Sequence, residues 1–167
     1  MANSSSDIAV IGLGNTLRRD DGIGIHVLSG LQDELKGEVF FLNFGIASLG
    51  LINFIGAFRK VLLIDAVDAG LKPATMKIFR LDEAGNLIPR EKLSSHELSL
   101  KDLLKLYQSL GMATDVQVAG IQVKDASCGL EMTPELSAAK NAIVASIKEY
   151  ILSWSEGHKI QEIRPQP

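Results

Sequence analysis

The chain concentrates its reactive side chains in GLGNTLRRDDGIG, residues 12–24, which continues from the apolar run IAVIGL of residues 8–13. An apolar run ending in Gly-x-Gly admits two chemistries. One is a glycine-rich loop that cradles a phosphate, and the other is a turn that delivers Asp20 and Asp21 to a metal ion. The phosphate chemistry asks for a third glycine, so that helix and strand pack closely, and for an acid after the second strand to hold a ribose. Leu17 stands at the first of these places and Asn43 at the second. Arg18 and Arg19 could meet a phosphate, but two arginines on a surface turn read as solvated side chains. Both requirements of a dinucleotide site therefore fail.

The metal chemistry finds more partners. Asp20 and Asp21 follow the first strand, and Asp65 and Asp68 end KVLLIDAVD, residues 60–68. In open α/β sheets ligands gather beyond the carboxyl ends of the strands, near the topological switch point. Carboxylates brought together there repel unless a cation or a shared proton compensates. The competing assignment is helix capping, in which a carboxylate accepts backbone N–H groups at a helix start. Asp20 is the better candidate for the cap and Asp21 for the site. His96, in KLSSHELSL, adds an imidazole to the carboxylates. A mixed nitrogen and oxygen set suits nickel, zinc or similar ions. His26 lies within the first helix and His158 in the tail, so neither has a comparable setting.

Nucleophilic schemes have little support. Cys128, in KDASCGLEMTPE, has no histidine nearby in sequence to draw off its proton. A G-x-S-x-G elbow, an H-E-x-x-H helix and a paired-cysteine zinc pattern are all missing from the chain.

The elements that must position these residues follow from apolar spacing. IAVIGL (8–13) and KVLLIDAVD (60–68) are compact apolar runs that suit buried parallel strands, and EVFFLN (38–43) is a second strand between them. Ile23, Ile25, Val27, Leu28 and Leu31 are spaced as a helix from Asp21 to about Leu35, closed by Lys36-Gly37. SLGLINFIGAF (48–58) is a short helix, and TMKIFRL (75–81) alternates as a half-exposed edge strand. The link from Asp68 to Thr75 is too short for a helical crossover, which makes that edge strand antiparallel to the third. A helix over 96–110 with apolar Leu98, Leu103, Leu106 and Leu110, a strand DVQVAGIQV (115–123), and a helix from Pro134 to about Trp154 complete the pattern. Alternating strands and helices give a three-layer α/β/α domain with a mostly parallel sheet. One domain of 1–167 is expected, with its core over about 8–154 and a loose polar tail over 155–167.

Bulk properties exclude several functions. The 167 residues are 46% hydrophobic and 22% charged, which suits a folded globular chain. The net charge is -3 and no lysine–arginine stripe appears, so no nucleic-acid partner is expected. MANSSSD lacks the charged and apolar regions of a secretory signal, and no apolar run nears the roughly 20 residues that span a bilayer. With a single cysteine, a cytoplasmic setting without membrane attachment is expected.

Four stretches in register resemble the nickel–iron hydrogenase maturation endopeptidases: GLGNTLRRDDGIG, LLIDAVDAG, KLSSHELSLKDLL and GIQV…CGLEMTPE. The likeness runs over roughly residues 8–152. It implies a phosphorylase/hydrolase-like fold, with a mixed five-stranded sheet of order 2-1-3-5-4 whose fourth strand is antiparallel. It also implies that Asp21, Asp65 and His96 are both the metal-contacting and the catalytic residues. The reaction implied is removal of a C-terminal extension from a hydrogenase large-subunit precursor, after nickel has been inserted there. The nickel is carried by the substrate, zinc or cadmium can stand in for it in crystals, and a monomeric enzyme is expected. Metal activation of a water and a carboxylate general base are both compatible with these residues. One position departs from the family: where Asp-Gly-Gly is usual after strand two, this chain has Asn43-Phe44-Gly45. That departure leaves a rival of another class, a non-catalytic α/β module that senses a metal or nucleotide at the same place.

Overall fold

A computed structural model describes residues 7–80 and 100–155. The strands are Ile8–Leu13 (β1), Phe40–Gly45 (β2), Lys60–Val67 (β3), Met76–Arg80 (β4) and Asp115–Gln122 (β5). The α-helices are Ile23–Glu34 (α1), Gly50–Ile55 (α2), Leu100–Ser109 (α3) and Pro134–Ser155 (α4). The strands form one sheet in the order β2-β1-β3-β5-β4. β1, β2, β3 and β5 run parallel, and β4 pairs antiparallel with β5, as the short link after β3 requires.

Alternation along the strands divides the core between the two faces of the sheet. Val10, Leu62, Ile64, Ala119 and Ile121 pack against Val27, Leu28 and Leu31 of α1 and Ile143, Val144 and Ile147 of α4. Ala9, Ile11, Leu13, Val61, Leu63 and Val118 face the other way, onto Leu51 and Ile55 of α2 and Leu103 and Tyr107 of α3. Every residue of β1 is buried, which is why its sequence reads as an unbroken apolar run. The lower end of the sheet is fastened to α4. Lys60 Nζ donates to the Trp154 carbonyl at 2.6 Å, Trp154 Nε1 donates to Asp115 at 3.2 Å, and the Tyr150 hydroxyl bonds Gln117.

Three expectations shift, the first being the helix expected over residues 48–58, which is confined to Gly50–Ile55. Strand two begins at Phe40 rather than Glu38, because a turn carries the chain from α1 through residue 38 and Glu38 N–H bonds the Leu35 carbonyl. On α3 the buried positions are Leu103 and Tyr107, whereas Leu106 and Leu110 are 39% and 58% exposed. The tyrosine takes the core place because its hydroxyl has a partner there, accepting from Thr114 N–H at 3.0 Å. Among the described residues no helix is long and apolar enough to cross a membrane.

Candidate active site

The acidic stretch forms a turn of 3-10 helix, Arg19–Gly22, between β1 and α1. Two glycines make its position possible. At Gly14, with φ of +126°, a β-carbon would lie 1.9 Å from the Asp21 carbonyl oxygen. At Gly24, a β-carbon would lie 2.3 Å from the Leu13 carbonyl oxygen and 2.4 Å from that of Ile64. Without side chains at these two places, the start of α1 settles directly on the carboxyl ends of β1 and β3. The turn is thereby brought to the part of β3 that carries Asp65.

Asp21 lies on that turn, half-buried, and its Oδ2 accepts the Asn15 backbone N–H at 3.0 Å. Asn15 is itself fixed: its side-chain oxygen accepts Leu17 N–H at 2.9 Å and its carbonyl accepts Arg18 N–H at 3.0 Å. Asp65 retains some surface exposure as a residue, yet the protein around its carboxyl group governs its titration. Burial first, and then the negative charge of Asp21, raise its pKa from 3.8 to about 7 against the opposing Ala66 N–H bond. The two acids from separate strand ends are therefore electrostatic neighbours. His96, the third residue of the expected set, lies outside the described residues. Among the described residues no group of three histidine, cysteine or acidic side chains could hold one ion.

Asp20 has a different role from the helix cap expected of it. Neither the 3-10 turn nor α1 has a side-chain cap at its start. The Asp20 carboxylate is fully buried and points away, toward the segment between β5 and α4. Its Oδ2 accepts Lys124 N–H, Asp125 N–H and the Thr133 hydroxyl, each at 3.0 Å, and its Oδ1 accepts Thr133 N–H at 2.7 Å. The two arginines are not simply solvated either. Arg18 Nε donates to the Ala126 carbonyl at 3.0 Å, and Arg19 Nε pairs with Asp125 at 3.4 Å. Of the run Arg18 to Asp21, Asp21 is the residue whose charge acts on Asp65, while the other three side chains bond the 124–133 segment.

Asp68 accepts a hydrogen bond from Gln122 Nε2 at 3.1 Å, so its oxygen is turned toward the end of β5. Gln122 Oε1 accepts the N–H groups of Ala69 and Leu71 at 2.8 and 3.1 Å, which holds the loop that follows β3. Asn15, Gln122 and Thr133 are the residues that sequence reasoning missed. Asn after Gly in a turn, and Thr before Pro-Glu at a helix start, were available signals for two of them.

Beside the turn opens a groove of about 380 Å³, lined by Gly14, Asn15, Thr16, Leu17, Ile25, Asn43, Gly45 and Ile46. None of these side chains is charged. Asn43 lies opposite Gly12 in the sheet, and the register slips by one residue beyond it, so that Gly45 pairs with Leu13. Asn43 thus lines the same groove as Asn15, whose backbone N–H bonds Asp21. Cys128 is exposed on the loop between β5 and α4.

Comparison with known proteins gives this arrangement a context. The sequence pattern of the hydrogenase maturation proteases matches residues 25–152. The hydrogenase expression/formation protein HupD of Rhizobium leguminosarum is 31% identical over 106 residues, 62% of this chain and 52% of that protein. The chain thus spans about half the length of that relative. A hydrogenase maturation protease assigned in Methanocaldococcus jannaschii is 32% identical over 122 residues, 71% of this chain and 77% of the other. The solved structure of the hydrogenase maturating endopeptidase HybD from E. coli superposes with a TM-score of 0.76 at 24% identity, covering 88% of this chain and 93% of that one. The likeness to HybD is one of fold, whereas the sequence pattern takes in most of α1, strands β2 to β5 and nearly all of α4. With the pattern reaching over well more than half of its residues, the chain belongs to the hydrogenase maturation protease family.

Proposed function

We propose that the protein is an endopeptidase that removes the C-terminal extension of a nickel-loaded hydrogenase large-subunit precursor. The observation that carries this reading is the neighbouring pair Asp21 and Asp65, held at the carboxyl end of the sheet with Asp65 raised to about 7. Two carboxylates in mutual repulsion form a site that a cation compensates, and their oxygens suit a divalent ion. Asp21, Asp65 and His96 would hold the nickel that the precursor brings. When bound, such an ion polarises a carbonyl or lowers the pKa of a water.

The chain's own groups supply the rest. A carboxyl group titrating near 7 can hold or release a proton at neutral pH, as a general acid or base requires. Asp21 is oriented by the Asn15 N–H, and the uncharged groove beside it offers an extended peptide a neutral wall that ends at Asn43. The substrate partner is the precursor alone, with no nucleic acid and no membrane, and the enzyme works as a cytoplasmic monomer.

The deciding experiment is to incubate the protein with the nickel-loaded precursor and measure the mass of its C-terminal region. Loss of a defined extension is the expected result. An unchanged mass with every loaded precursor would leave the non-catalytic binding module. Efficient cleavage of a nickel-free precursor would remove the requirement for metal.

A further inference from the structure

A buried carboxylate that accepts four hydrogen bonds and faces away from the candidate site calls for a purpose of its own. Asp20 directly precedes Asp21 on a turn of only four residues. Arg19, beside it, has a φ of +44°, a conformation that a non-glycine residue keeps only when its surroundings over-determine it. Those surroundings lie in the segment from Lys124 to Thr133. Arg19 N–H bonds the Gly129 carbonyl at 2.8 Å, Gly129 N–H bonds the Leu17 carbonyl at 2.9 Å, and Asp20 N–H bonds the Asp125 carbonyl at 3.2 Å. Arg18 adds its bond to Ala126. The strongest ties are those of the Asp20 carboxylate itself, because two of its four donors belong to the buried Thr133 and a charged acceptor roughly doubles the strength of each bond.

The use of such an anchor follows from what else the turn carries. Asp21 shares the four-residue turn with Asp20, so the ties that fix the turn from behind also fix the backbone from which the Asp21 carboxylate reaches the Asn15 N–H. We propose that Asp20 is a positioning residue for Asp21, latching the acidic turn to the 124–133 segment so that Thr133 takes part in placing the Asp21 carboxylate. The inference rests on Asp21 serving in the reaction proposed above, and Asp20 itself touches neither substrate nor metal.

Thr133→Val removes one donor of the latch while keeping the shape of the side chain and the Thr133 N–H bond. Thr133→Ser keeps the hydroxyl. Asp20→Asn sets an amide donor against a backbone donor and serves as the second variant. Ile147→Val, on the core face of α4 and outside the hydrogen bonds that hold the turn, is the control for a general loss of stability. Two readouts are used: steady-state cleavage of the nickel-loaded precursor, and hydrogen exchange of the Asn15 amide, whose proton lies on Asp21. The expected result is that Thr133→Val lowers kcat about tenfold with KM nearly unchanged and exposes the Asn15 amide to faster exchange. Thr133→Ser should restore both, and Ile147→Val should move neither. Wild-type kcat together with wild-type Asn15 protection in Thr133→Val would overturn the proposal. If the wild-type protein cleaves no precursor, the functional reading fails, and the Asn15 exchange still decides whether the latch places Asp21.

Discussion

Replacing Asp65 with asparagine keeps the shape of the side chain, and the amide oxygen can still accept the Ala66 N–H bond of 2.8 Å. What the change removes is the charge. In the unfolded chain the Asp65 carboxyl group titrates at 3.8, and in the fold at about 7, chiefly because it is buried and then because of Asp21. The sign follows from which state holds the proton. Below about pH 4 both states are protonated and Asp65 costs nothing. As pH rises from about 4 to about 7 the unfolded chain ionises first, so the fold loses stability, and above about 7 the loss is constant. The displacement from 3.8 to about 7 corresponds to a ceiling of about 4 kcal/mol. Asp65→Asn should therefore unfold in urea at a higher midpoint than the wild type at pH 8.5, by about 1–2 M for a typical dependence on denaturant. At pH 4 the two proteins should agree to within about 1 kcal/mol. The same variant should lose cleavage of the precursor. A stabilised and inactive protein at pH 8.5 is the expected outcome. If the variant is less stable at pH 8.5, or is offset equally at both pH values, the placement of a strained acid at the end of β3 is wrong.

Three other substitutions test separate parts of the site. Gly24→Ala drives a methyl group into the Leu13 and Ile64 carbonyl oxygens, so α1 must back away. A cost of about 1–3 kcal/mol should lower Tm by several degrees and weaken cleavage, and an unchanged Tm would refute the close approach. Cys128→Ser should cleave at the wild-type rate, because the exposed thiol has no part in the proposed chemistry; complete inactivity of a folded variant would point to a thiol nucleophile instead. His96→Ala should lower cleavage by about a hundredfold or more, and a wild-type rate would exclude His96 from the metal-contacting set.

Where burial alone decides a residue's place, the chain announced it. The run at residues 8–13 is apolar without a break because both faces of β1 are covered, and the reversal of β4 followed from a link too short to cross the sheet. That Asp21 and Asp65 are neighbours was legible because strand ends at a switch point converge as a matter of topology. Asp20 was misread because its four donors lie 104 to 113 residues away, and no local pattern separates a carboxylate that caps a helix from one that anchors a distant loop. Arg18 and Arg19 were misread for the same reason. The start of β2 was misplaced by two residues, since Glu38 and Val39 have strand-like neighbours while the backbone is still completing the turn after α1.

The separation of 113 residues between Asp20 and Thr133 also sets the order in which the molecule becomes competent. Contacts so distant along the chain form late, since the long intervening loop must be closed before they return any stabilisation. During synthesis the acidic turn emerges early, with β1, but the segment that fixes it emerges after all five strands. A nascent chain that ends before Thr133 lacks the two Thr133 bonds to Asp20 and the α4 side chains that cover one face of the sheet. The acidic turn thus reaches its final place only once the distant 124–133 segment has closed behind it.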